Sequence, residues 1–197
     1  MSKSDPSASK KENRRYIRWV ITIFLVTILI SGLISLGSEE LMANSNMAVA
    51  FLILLVIVLV GILFDIIGMA VASAAETSFH SKSAQGLVGS KESLVLIRNA
   101  EKVSNFCNDV IGDIAGVVSG GLAATIVTLV CTRYSFLNSI LLTLLLTGIV
   151  SALTVGGKAL GKGFAISQSE AIVTKVGLLV YYIKRIISFH FKRKEKC

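Results

Sequence analysis

Asn108, Asp109 and Asp113 stand at the start of an apolar run over residues 106 to 131 that is long enough to cross a bilayer. An ionisable side chain in hydrocarbon costs a few kcal/mol or more, so two carboxylates beside an amide point to the handling of ions or polar partners inside a membrane. Asp109 and Asp113 lie four residues apart, which puts both on one face of a helix. The sequence therefore predicts a membrane protein with a polar centre.

The elements that must carry such a centre are apolar spans. With 53% hydrophobic and 16% charged residues and a single proline, the composition falls in the membrane class rather than the soluble one. Apolar runs at 17–36, 48–72, 106–131 and 136–156 each approach the roughly 20 residues that a helical crossing needs. Helices are the expected form because lipid offers backbone amides no partner. The fold class expected is an all-α integral membrane protein with four transmembrane helices and cytoplasmic juxtamembrane helices.

The net charge of +8 is distributed as a topology signal. Six Lys and Arg residues fall in the amino-terminal tail, four in 73–104 and nine from Lys158 onward, leaving Arg133 alone in the two alternate loops. The positive-inside rule puts both termini and the 73–104 segment in the cytoplasm and turns Glu39 and Glu40 outward. Anionic lipid headgroups are the partner this charge suits. No basic groove with interleaved aromatics occurs, and nucleic acid binding is not expected.

The first run comes after Lys10, Lys11, Arg14, Arg15 and Arg18 but is longer than a signal core and lacks a small-x-small cleavage site before Ser38, which makes it a retained anchor. The tail over 1–16, rich in Ser, Lys and Asn, is expected to be disordered. Cys107, Cys131 and Cys197 have neither paired nor metal-ligand spacing, and the only histidines are His80 and His190. With no phosphate loop, catalytic triad or metalloprotease pattern, no enzyme is expected.

Between the second and third runs, Thr77–Val88 and Lys91–Asn99 read as two short helices split at Gly89 and Ser90, a hairpin against the inner leaflet. Leu94, Ile97 and Val103 would form its membrane-facing or helix-facing stripe. Gly156, Gly157, Gly161 and Gly163 predict a break after the fourth span, beyond which Ile172, Val176, Leu179, Ile183 and Ile186 recur at helical spacing. An interfacial helix over 168–190, with Lys184 and Arg185 at headgroups, is preferred to a fifth crossing. Gly112, Gly116, Gly120 and Gly121 predict close helix contact along the third span.

Several motifs resemble one family, the transmembrane domain shared by the cyclin-M proteins of animals and the CorB/CorC magnesium transporters of bacteria. Ser73-Ala74-Ala75-Glu76-Thr77 is similar to its Ser-Gly-Ser/Ala-Glu-Thr, while Gly89-Ser90-Lys91 and Asn99-Ala100-Glu101-Lys102 resemble its lysine-bearing loop and Asn-Pro-Glu segment. Asn108 matches the first Asn of its Gly-Asn-Asn. Gly157-Lys158-Ala159-Leu160-Gly161-Lys162 takes the place of its Gly-Glu-Ile-x-Pro-Lys, and Ala165-Ile166-Ser167-Gln168-Ser169-Glu170 is similar to the stretch beyond that motif. The likeness covers about residues 48–190 and leaves 17–36 as an added anchor and 191–197 as a basic tail. It implies a homodimer of three-helix units in the bacterial cytoplasmic membrane, each holding a dehydrated magnesium or cobalt ion between its helices. The family's proteins usually continue into paired cystathionine-synthase-like domains; with the chain ending at Cys197, control would fall to a separate regulatory protein.

The ion site implied by the resemblance draws oxygens from the Ser, Asn and Glu of three motifs. Ser73 and Asn108 match, but Lys158 stands at the Glu, and an ammonium has no lone pair to give a metal. Two readings stay open. Ser73, Asn108, Asp109 and Asp113 together could hold the ion, with Asp65 as a further carboxylate and Glu76 as a charge partner nearby. Alternatively, Lys158 is itself the cation, paired to Asp109 or Asp113, in a non-transporting structural or regulatory protein of the same fold. Blander roles compete with both: Ser73 bonded to a helix carbonyl, Asn108 as interhelical glue, Glu76 at the water interface, the aspartates solvated if the span starts later, and Lys158 and Lys162 snorkelling to the surface.

Overall fold

Because lipid cannot satisfy a bare backbone, a spanning chain closes its hydrogen bonds along itself, and no strand occurs among the described residues. A computed structural model describes residues 6–43, 46–134 and 138–194, with side chains for 17–38, 40, 46–134 and 138–187. Residues 1–5, Cys197 and the end of the 191–197 tail lie outside these, as do the side chains of Glu39 and His190.

The elements in order are α1 (Pro6–Ala43), α2 (Met47–Ser73), α3 (Glu76–Ala84), α4 (Ser90–Arg98), α5 (Ala100–Asn105), a π-helical segment (Phe106–Gly112), α6 (Asp113–Arg133), α7 (Ser139–Ser167) and α8 (Ser169–Lys194). Among the described residues, four helical stretches are long and apolar enough to cross a membrane: Ile17–Ser38, Met47–Ser73, Ala100–Arg133 and Ser139–Ser167. The chain is an all-α, multi-pass membrane protein. α8 is not among the four.

The tail expected to be disordered over 1–16 is helical from Pro6 onward. Pro6 opens the helix, where its missing N–H breaks no bond, and the Lys, Glu and Arg after it are good helix formers joined to a span. α1 then lies at the periphery, touching the core through Ile23 and Ile30 while Phe24, Leu25, Leu29 and Leu33 stay exposed. Such a surface suits lipid.

α2 is the hub. Ala50, Leu54, Val58, Gly61, Asp65 and Gly68 are buried at spacings of three and four, which marks one face of a helix. That face meets Ile114, Val118, Leu122 and Ile126 of α6 and Val150 of α7. A second core closes the basic end, where Ala70, Val71 and Phe79 pack with Leu94, Ile97, Ala165 and Val173.

Glycine sets the helix spacing, though not where the sequence predicts it. The series 156–163 is no break, because α7 runs unbroken to Ser167 and turns only at Gln168. Gly157 and Gly161 instead receive the side chains of Ile62 and Ile66, drawing α7 onto α2. Along α6, Gly112 lies buried, but Gly116, Gly120 and Gly121 have nothing within 4 Å of a would-be Cβ. The close contact expected of these three does not arise within the chain.

α3 and α4 form the expected hairpin. Gly86 and Gly89, at φ of 73° and 82°, end one helix and admit the next, a conformation that side chains with a Cβ disfavour. Leu94 and Ile97 are buried and face helices rather than lipid. Gly177 of α8 crosses α4 so closely that Ser93, fully buried, fills the space a side chain there would need and donates its hydroxyl to Gly89 O and Val173 O.

Candidate functional site

Lys158 is carried to the bundle's interior by the approach of α7 to α2 at Gly157. Its Nζ lies 3.6 Å from Asp65 Oδ1 on α2 and 3.8 Å from Asp113 Oδ1 at the start of α6. These are ion-pair distances, longer than direct hydrogen bonds. Gly112 makes the room: a Cβ there would sit 3.2 Å from Lys158 Nζ and 3.5 Å from Asp65 Oδ1. Three spans thus contribute to one cluster of two carboxylates and one ammonium.

The two carboxylates differ in setting. Asp65 has 8% of its side chain exposed and Asp113 has 71%, so Asp65 depends on Lys158 while Asp113 also opens outward. A buried carboxylate without a counter-charge would be strongly disfavoured. The sequence offers Asp65 only as a further candidate and pairs Lys158 with Asp109 or Asp113. Of those two, Asp113 is the partner.

Asp109 does not join the cluster; it is exposed, although it lies four residues before Asp113. The cause is the π-helical segment. Wider turns, closed by i→i+5 bonds, rotate the side chains so that Cys107, Val110 and Gly112 face inward and the face shared by 109 and 113 in an α-helix is split. Nothing in the local sequence announces that extra residue.

Asn108 lies apart from the ammonium, against Gly68 of α2. Its Nδ2 donates to Ser104 Oγ at 3.2 Å, while its Oδ1 is enclosed without a hydrogen-bond partner. A buried orphan acceptor is uncommon and costs stability. Ser73 closes α2 as an exposed residue outside the Lys158 cluster. Of the four oxygen donors expected for a metal, Asp113 lies beside Lys158, Asn108 packs on Gly68, and Asp109 and Ser73 are exposed. No group of three or more His, Cys, Asp or Glu is placed to hold a metal among the described residues.

Glu76, expected as a charge partner near the centre, serves elsewhere. The chain leaves α2 through Ala74 and Ala75 in extended conformation, and α3 turns Glu76 toward α4. There it accepts from Arg98 Nε at 2.7 Å and pairs with His80 Nε2 at 3.1 Å. Those hydrogen bonds, Arg98's first and His80's second, hold its carboxyl below the ordinary glutamate value.

A neighbouring network ties the hairpin to α8. Glu170 accepts from the Ser78 hydroxyl and from Lys82 Nζ, and the Ser78 bond chiefly lowers its pKa. Lys82 also lies over the Phe79 ring, 4.7 Å from its centre. The sequence hardly signals this network: the Glu76–His80 spacing of four is its one local sign, and Glu170 lies more than ninety positions from Ser78.

No family model, no curated protein and no solved structure matches the chain.

Proposed function

We propose that this chain is a structural or regulatory membrane subunit built like a divalent-cation transporter, with the ammonium of Lys158 standing where such a protein would hold its ion. The observation that carries the reading is the convergence of Asp65 and Asp113 on Lys158 Nζ from separate spans. A tethered ammonium neutralises one of the two carboxylates permanently and repels an arriving magnesium or cobalt ion from the same pocket. The setting proposed is the bacterial cytoplasmic membrane; the one-sided placement of Lys and Arg supports an orientation with both termini inside. A homodimer is supported by the open faces of Gly116, Gly120 and Gly121 and by exposed Asp109, since small residues allow close approach and lipid covers a carboxylate poorly.

A second reading, transport of magnesium or cobalt, draws on one observation: the enclosed, unpartnered Oδ1 of Asn108 is a hard donor of the type such ions prefer. Thermal unfolding of the purified protein separates the two. The first reading predicts no stabilisation of the wild type by millimolar magnesium, and a clear magnesium-dependent rise in Tm in the Lys158→Glu variant, where a carboxylate replaces the ammonium. Stabilisation of the wild type, together with cation uptake that Asn108→Ala abolishes without loss of membrane insertion, would favour transport instead.

A further inference from the structure

We propose that α8 is a docking surface for an anionic lipid leaflet, lying in the plane of the membrane at the basic end of the bundle. One side of the helix is already used, because Val173 and Gly177 pack on α4. Leu179, Tyr182, Ile183, Ile186 and Ile187 recur at spacings of three and four on another side, and all are about half exposed or more, Ile186 reaching 68%. An exposed apolar arc of that size beside a membrane span needs an occupant.

Three observations identify that occupant as lipid. α8 begins at Ser169, with only Gln168 between it and a helix long and apolar enough to cross a membrane, so it starts beside the end of a candidate span. The end of α7 is itself exposed and apolar at Leu160, Phe164 and Ile166, so the span leading into α8 also presents an apolar surface to its surroundings. The helix also carries Lys175, Lys184 and Arg185, all exposed, with Lys192, Arg193 and Lys194 in its final turns. A helix with an apolar arc and cations that is too polar to cross rests at the headgroup boundary, its rings and aliphatic chains among acyl chains and its cations on phosphates.

The cations specify the headgroup charge. Lys184 is held by Glu92 of α4 at 3.8 Å, fixing the helix against the hairpin, whereas Lys175 and Arg185 are exposed, Lys175 in line with Tyr182 and Ile186 about two turns before the arc's centre and Arg185 beside it. Each cation near an anionic surface strengthens attachment, so the surface discriminates phosphatidylglycerol from phosphatidylcholine.

The test uses the full chain in nanodiscs, with tryptophan introduced as Ile183→Trp or, on the opposite side, Arg185→Trp, and the parent Trp19 signal subtracted. Acyl-chain-brominated lipid should quench the reporter at 183 and spare the one at 185. Brominated phosphatidylglycerol in a phosphatidylcholine background should quench position 183 about fivefold more than the converse mixture, and Lys175→Gln with Arg185→Gln should abolish that preference. Quenching of position 183 by aqueous acrylamide rather than bromolipid would overturn the proposal. So would lipid quenching without headgroup preference, or Ile183→Cys crosslinking between copies, which would assign the arc to a second chain.

Discussion

The ammonium of Lys158 lies 3.6 Å from the carboxylate of Asp65, on two helices that meet where Gly157 receives Ile62. The contact joins the hub of the bundle to a helix with a broad exposed apolar face. Asp113, from a third helix, adds a second carboxylate to the same ammonium from a more open setting.

The two aspartates should therefore respond unequally to neutralisation. Asp65→Asn removes the enclosed member of the pair and should cost about 2 kcal/mol, whereas Asp113→Asn, with 71% of its side chain exposed, should cost less than about 1 kcal/mol. Thermal or denaturant unfolding in one detergent, applied to both variants, measures the difference.

Glycines in similar helical settings should also separate. A methyl on Gly68 meets the Asn108 side chain, so Gly68→Ala should destabilise by about 1–3 kcal/mol through overpacking. Gly116→Ala adds its methyl to open space and should leave the protomer's stability unchanged or slightly raised. If a second copy packs on that face, Gly116→Ala should instead weaken self-association, which crosslinking or single-molecule counting in liposomes would record.

At the basic end, Gly177→Ala would force its methyl onto Ser93 Oγ and Gly89 O, where α4 and α8 cross. The expected result is local: faster hydrogen exchange in α3, α4 and α8, with α2 and α6 unchanged. Uniform loosening of all helices would contradict the division into two cores.

The Glu76 network predicts a pH response. Because Arg98 and His80 hold the Glu76 carboxyl below its ordinary value, the stability it lends the hairpin is fully present at neutral pH. It is lost as pH falls from the ordinary glutamate value through the lowered one. Hydrogen exchange in α3 and α4 should accelerate over that window, and Arg98→Gln should flatten the dependence. The Glu170 carboxyl, lowered by Ser78 and Lys82, adds in the same direction.

Range along the chain decides which features are legible in the sequence. The four spans can be read because a crossing needs about twenty apolar residues whatever it packs against, and the hairpin because Gly89 marks a backbone conformation locally. The glycines of α7 suggest a break, since their real use, admitting Ile62 and Ile66, depends on a helix some ninety residues earlier. Asp109 and Asp113 look like a pair only if α-helical spacing holds through a segment that is in fact π-helical. The role of Lys158 as a charge partner is legible from its type, since a buried ammonium requires an acid. Which acids it meets depends on the rotation of α2 and on the space above Gly112, neither of which has a local signature.

The pairing of Lys158 is central, and a double-mutant cycle over Lys158→Met and Asp65→Asn tests it most directly. The single Lys158→Met change should cost about 3 kcal/mol by stranding Asp65, and adding Asp65→Asn should recover part of that loss, giving a coupling energy of about 1–3 kcal/mol. Additive effects, with coupling below about 0.5 kcal/mol, would mean that the ammonium lies away from Asp65 among the headgroups, and the reading of Lys158 as a built-in cation would fall.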